Sequence, residues 1–191
     1  MMDFLKDKQF LVFVTKFLLL FLLLYFGTIA IIGLAAPGDY YSPFIEKYLD
    51  YVSWIKVSLM KGTQFLLSLF NYKTRIEPNF IVRIVNARGV IIAMDCVGYG
   101  VYSFWIAFVI ACSTTFLKKL TWIIFGVFLL WIINVIRISL FLVAINKGWA
   151  MPLGLDHHTW FNIFAYLCIF TMIYFFDRSL QSKKRLSINE S

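Results

Sequence analysis

From Leu120 to Ile145 the chain is apolar apart from one ionisable residue, Arg137, and this run limits the fold more than any other feature. At 1.5 Å per residue, a helix of this length exceeds the roughly 30 Å hydrocarbon core of a bilayer. Backbone in hydrocarbon must satisfy its own hydrogen bonds, so the run is predicted to be a membrane-crossing helix. A guanidinium carried into that layer costs at least ~2.5–3.5 kcal/mol on insertion scales and therefore needs a partner or a wet cavity. Arg137 is the first candidate functional residue for that reason.

Composition agrees with a membrane chain. Hydrophobic residues make up 61% and charged residues only 15%, with a mean hydropathy of +0.81, which is not the balance of a soluble globular protein. The net charge of +8 does not point to nucleic acid, because Lys and Arg gather at the ends of apolar runs, where they meet headgroups and set orientation. Cys96, Cys112 and Cys168 form no CxxC pair and have no metal-ligand spacing. No disulfide framework, metal site or cofactor is expected.

Three further apolar runs are predicted to cross: residues 10–35, 97–117 and 160–176, beside 120–145. The first is too long for a signal-peptide core and is kept as an anchor, ended by Pro37-Gly38. Residues 53–72 are ambiguous, since Lys56 and Lys61 interrupt an apolar pattern that fits either a short span or an amphipathic helix at the surface. Charge decides between them. Placing Lys6 and Lys8, Lys118-Lys119 and the cluster Arg178, Lys183, Lys184 and Arg185 on the inside requires four crossings. Segment 36–95 then lies outside, with 53–72 outside or re-entrant, and 177–191 is a cytoplasmic basic tail explained by anionic lipid.

Within the outer segment, the β-branched runs Phe80–Val85 and Val90–Met94 flank Asn86-Ala87-Arg88-Gly89 and predict a two-stranded hairpin. The expected fold is thus a single all-α membrane domain over 1–191, with about four transmembrane helices, an interfacial or re-entrant helix and a small extracytoplasmic β-hairpin.

The second strand runs into Asp95-Cys96-Val97-Gly98-Tyr99-Gly100, which sets Cys96 near a helix N-terminus, where unpaired N–H groups favour a thiolate or an oxyanion. Under the four-crossing arrangement, Arg137 lies about 7 Å beyond the midpoint of its span on the outer side. His158 precedes the last span, also outside. Cys96, Arg137 and His158 therefore meet in one outer layer, a nucleophile, a cation and a general base from three separate segments. Each has a competing structural role: an apolar filler for Cys96, a headgroup or carbonyl contact for Arg137, and an interfacial pair for His157-His158. Asn134, one turn before Arg137, either faces the same cavity or bonds a neighbouring helix.

Three blocks carry a family resemblance. Met94-Asp95-Cys96-Val97-Gly98-Tyr99, then Asn134-Val135-Ile136-Arg137-Ile138, then His158 followed by Asn162-Ile163-Phe164-Ala165-Tyr166 resemble, in order and spacing, the signature blocks of the exosortase/archaeosortase family. The Asn-x-x-Arg-Ile block is the most specific, and the resemblance covers about residues 80–174. Val97 stands where the family commonly has Ser, and Asn162 where it commonly has Gly. The chain looks like a short bacterial form.

The resemblance implies a membrane-embedded cysteine transpeptidase or peptidase of the bacterial cytoplasmic membrane, with its active site on the extracytoplasmic side. Its substrates would be exported, membrane-inserted proteins with a C-terminal sorting tag made of a Pro-containing motif, an apolar span and a basic end. Cys96 would be the nucleophile, His158 the general base and acid, and Arg137 the anion stabiliser. His157 is an alternative to His158, and Asp156 or Asp95 would orient the imidazole. The acceptor would be a lipid amine, a glycan or water.

Rival classes fit less well. Asp156-His157-His158-Thr159 lacks the cysteine of an Asp-His-His-Cys acyltransferase, a thiol oxidoreductase needs paired cysteines, and no inverted repeat suggests a transporter. The main alternative is a non-catalytic membrane assembly subunit of an exopolysaccharide or protein-export system.

Overall fold

The computed structural model describes residues 8–149 and 157–189, with the backbone alone for Asp95, His157, His158, Phe161 and 181–189. Helix α1 (Lys8–Ala35) is followed by the short α2 (Pro43–Tyr48) and by α3 (Tyr51–Leu69). Strands β1 (Thr74–Glu77), β2 (Ile81–Ile84) and β3 (Gly89–Ile91) come next, then a 3-10 turn (Met94–Cys96), α4 (Tyr99–Ala111), α5 (Phe116–Lys147) and α6 (His157–Asn189). The protein is mostly helical, and among the described residues three helices, α1, α5 and α6, are long and apolar enough to cross a membrane. Large apolar side chains such as Leu23, Phe128 and Phe170 point outward from them. Apolar surface on this scale suits contact with lipid rather than water.

The expected span 97–117 is shorter than predicted. Gly98 adopts φ 75°, a left-handed conformation that a side chain would resist, and begins α4 as its cap. At the other end Cys112 turns extended, so α4 holds only 13 residues, or about 20 Å of helix. Lys118 Nζ donates to the Ser179 carbonyl at 2.5 Å and Lys119 Nζ to the Ile110 carbonyl at 2.6 Å, which ties the α4–α5 connection to the neighbouring helix ends. Helix α6 continues through the segment expected as a tail.

Of residues 53–72, all but the last three belong to the amphipathic helix α3 (Tyr51–Leu69), which is not one of the long apolar spans. Asp50 caps α3 by accepting from the Ser53 amide at 3.0 Å. Its buried face, Val52, Lys56, Leu59, Met60, Thr63 and Leu67, recurs at helical spacing and packs on α5, where Trp131 Nε1 donates to Ser58 Oγ at 3.0 Å. Gln64 Nε2 reaches the Thr74 carbonyl and joins α3 to the sheet.

The hairpin proves to be a three-stranded antiparallel sheet in the order β1-β2-β3. The additional strand, Thr74–Glu77, pairs Thr74 with Ile84 and Glu77 with Ile81. Arg83 binds both Glu77 oxygens, at 3.0 and 3.1 Å, and Arg75 adds a contact at 2.7 Å. Arg83 is the main cause that holds the Glu77 carboxyl below the usual carboxylate range.

Two cores are stacked along α5. One joins Leu59 and Met60 of α3, Val82 of the sheet, Cys96, and Val135, Ile138 and Leu142 of α5. The other joins Trp105 and Val109 of α4 with Leu130 of α5 and Ile169, Met172 and Phe176 of α6. Cys96 thus lies inside the core formed by α3, the sheet and α5.

Candidate active site

The junction from β3 to α4 carries Cys96 in a one-turn 3-10 helix, where its amide donates to the Ala93 carbonyl at 3.1 Å. The cysteine is 9% exposed. Gly98, the cap of α4, follows two residues later, so Cys96 lies at the strand-to-helix junction, just before the helix N-terminus.

Two side chains of α5 converge on this turn. Asn134 is 1% exposed and donates through Nδ2 to the Cys96 carbonyl at 2.8 Å and to the Val97 carbonyl at 3.0 Å. Arg137, one turn on, is half-buried and donates through a terminal guanidinium nitrogen to the same Cys96 carbonyl at 2.8 Å. The three-residue offset of Asn134 and Arg137 puts both donors on one face of the helix. The Arg137 charge also acts on the Cys96 thiol and on the Tyr102 hydroxyl. Among the described residues, Asn134 Oδ1 and the Tyr102 hydroxyl are buried with no hydrogen-bond partner.

The structure brings together Cys96, Arg137 and Asn134. His157 and His158 begin α6, but their side chains lie outside the described residues, as does that of Asp95; Asp156 lies outside them altogether. No cluster of His, Cys, Asp and Glu among the described residues has the makings of a metal site.

Two residues join the site that the sequence did not single out for it. Tyr102 lies on α4 within the field of Arg137. Lys56 of α3 is 4% exposed, with its ammonium 4.5 Å from the Phe80 ring centroid. Burial pushes this ammonium down from its ordinary value, while Asp50 and Cys96 act in the opposite direction. A signal for Lys56 was present: it recurs with Val52, Leu59, Met60 and Thr63 on the apolar face, where a solvated lysine has no place.

A groove of about 860 Å³ opens beside the junction, bounded by Phe21 and Tyr25 of α1, Gly98 and Tyr99 at the start of α4, and Tyr166 and Phe170 of α6. Its walls are largely apolar, and it runs along the first turns of α4. No protein-family model, curated protein or solved structure matches the chain. The chemistry rests on the residues themselves.

Proposed function

We propose that this chain is a membrane-embedded cysteine peptidase or transpeptidase that cleaves C-terminal sorting tags of exported proteins, as the three sequence blocks imply. The observation that carries this reading is the convergence of Asn134 and Arg137 on the carbonyl of Cys96, which ties a guanidinium to the backbone of the cysteine within an apolar bundle. A protein rarely carries an arginine and an asparagine into such a layer without a use for them.

In the reaction, Cys96 Sγ attacks the scissile carbonyl while His158 takes the thiol proton. Arg137 stabilises the developing oxyanion. Collapse of the tetrahedral adduct breaks the C–N bond, His158 returns the proton to the leaving amine, and a thioester to Cys96 remains. A lipid amine, a glycan group or water then attacks the thioester and regenerates the thiol.

The chain would lie in the bacterial cytoplasmic membrane with four crossings, α4 with its preceding turn forming the short one. The sheet, α3 and Cys96 face outward, and the basic ends face inward. The groove between α1, α4 and α6 suits the apolar span of a tag, which would bring its cut site to the cysteine by diffusion in the membrane plane.

A non-catalytic assembly subunit is the second reading. The bonds from Asn134 and Arg137 favour it to the extent that two donors on a junction carbonyl also make a rigid scaffold. Co-expression with a membrane-anchored reporter bearing a Pro-containing motif, an apolar span and a basic end separates the two. Wild type should process the reporter, Cys96→Ala and Cys96→Ser should abolish processing, and Arg137→Gln should slow it about 10²–10³-fold. Processing that survives in Cys96→Ala would remove the nucleophile from the account and leave the scaffold.

A further inference from the structure

We propose that Lys56 is a second cation of the Cys96 site, carried there by α3 to attract and stabilise negative charge at the sulfur and on the group it meets. The inference rests on the reading of Cys96 as a reactive thiol, not on any particular substrate.

The geometry is unusual for a lysine. A lysine near a membrane surface normally extends its stem over apolar neighbours and keeps the ammonium in water. Lys56 is instead only 4% exposed, on the α3 face that packs into the core containing Cys96, with its ammonium over the Phe80 ring. Burying an ammonium is unfavourable without compensation. Among the described residues, the compensation is the Phe80 ring, which packs against the core that holds Cys96, together with the Asp50 carboxylate.

Phe80 adds an independent observation. It has φ 57°, a left-handed conformation in which a bulky residue is an outlier, and its carbonyl is held by the Ile92 amide at 2.9 Å. Backbone strain of this kind gathers at sites whose surroundings enforce it. Here the strained residue is the one whose ring covers the Lys56 ammonium, a favourable cation–π placement. Among the described residues, the charged groups brought to this part of the core are then Lys56 from α3 and Arg137 from α5, with Asp50 acting on Lys56 from the start of its own helix.

The test needs no substrate. Full-length protein in lipid nanodiscs is treated with neutral iodoacetamide or anionic iodoacetate, and alkylation of the Cys96 peptide is followed by mass spectrometry for wild type, Lys56→Met and Lys56→Arg. One charge acting across a partly buried site predicts a rate lower by on the order of tenfold in Lys56→Met. The iodoacetate-to-iodoacetamide ratio should fall with it, and Lys56→Arg should restore both. Lys56→Met should also melt no lower than wild type, because a buried charge has been removed. Unchanged rate and ratio in Lys56→Met would overturn the proposal. So would equal slowing in Lys56→Met and Lys56→Arg with a lowered melting temperature, which marks a structural brace. If the Lys56 effect holds but the tagged reporter is not cut, the thiol site stands and the peptidase reading falls; if the reporter is cut and Lys56→Met changes nothing, only the present proposal falls.

Discussion

Asn134 shows how one residue sets the position of another. Its amide spans the carbonyls of Cys96 and Val97, so the cysteine-bearing turn is fastened to α5 rather than to its own helix. Asn134→Leu keeps similar bulk but leaves the Val97 carbonyl without this donor and the Cys96 carbonyl with Arg137 alone. A lost partner at a buried polar group costs about 1–3 kcal/mol. A lowered thermal midpoint of the variant in nanodiscs is the expected result; an unchanged midpoint would mean that the turn is held from elsewhere. Cys96, Arg137 and Asn134 were legible in the sequence because polar groups in apolar runs stand out against their surroundings. Lys56 was legible as a lysine on the apolar face of α3, but not as a neighbour of the Cys96 core, because that depends on α3 packing against the sheet and α5.

At the level of elements, the departures from expectation have local causes. Strand β1 was hidden because Thr74-Arg75-Ile76-Glu77 carries two charges and precedes Pro78, whereas the sheet uses those charges in the Arg75, Glu77 and Arg83 cluster. Helix α4 was overestimated because hydropathy continues past Gly98 and Cys112, where the backbone leaves the helical region. The contact of α4 with α5 depends on Gly126: a Cβ there would lie 2.0 Å from Trp105 Nε1, the atom that donates to the Trp122 carbonyl at 3.1 Å. Overpacking of this kind costs about 1–3 kcal/mol. Gly126→Ala should lower the thermal midpoint and shift tryptophan fluorescence, whereas Gly27→Ala, with no atom within 4 Å of its Cβ, should do neither. Equal behaviour of the two variants would contradict the packing described.

At the scale of the whole molecule, the apolar exterior and the polar junction belong together. Helices α1, α5 and α6 present large exposed apolar side chains suited to lipid, while Cys96, Asn134, Arg137 and Lys56 gather where α3, the sheet, α4 and α5 meet. On the proposed reading, such an arrangement would present the Cys96 thiol to a substrate that arrives within the membrane. The most direct measurement is mass spectrometry of the purified chain after incubation with a tagged membrane substrate, comparing wild type with Cys96→Ala. The account predicts an acyl adduct of substrate mass on the Cys96 peptide, released by hydroxylamine and missing from the variant. Substrate cleavage with no adduct on Cys96, at equal rates in wild type and Cys96→Ala, would contradict it.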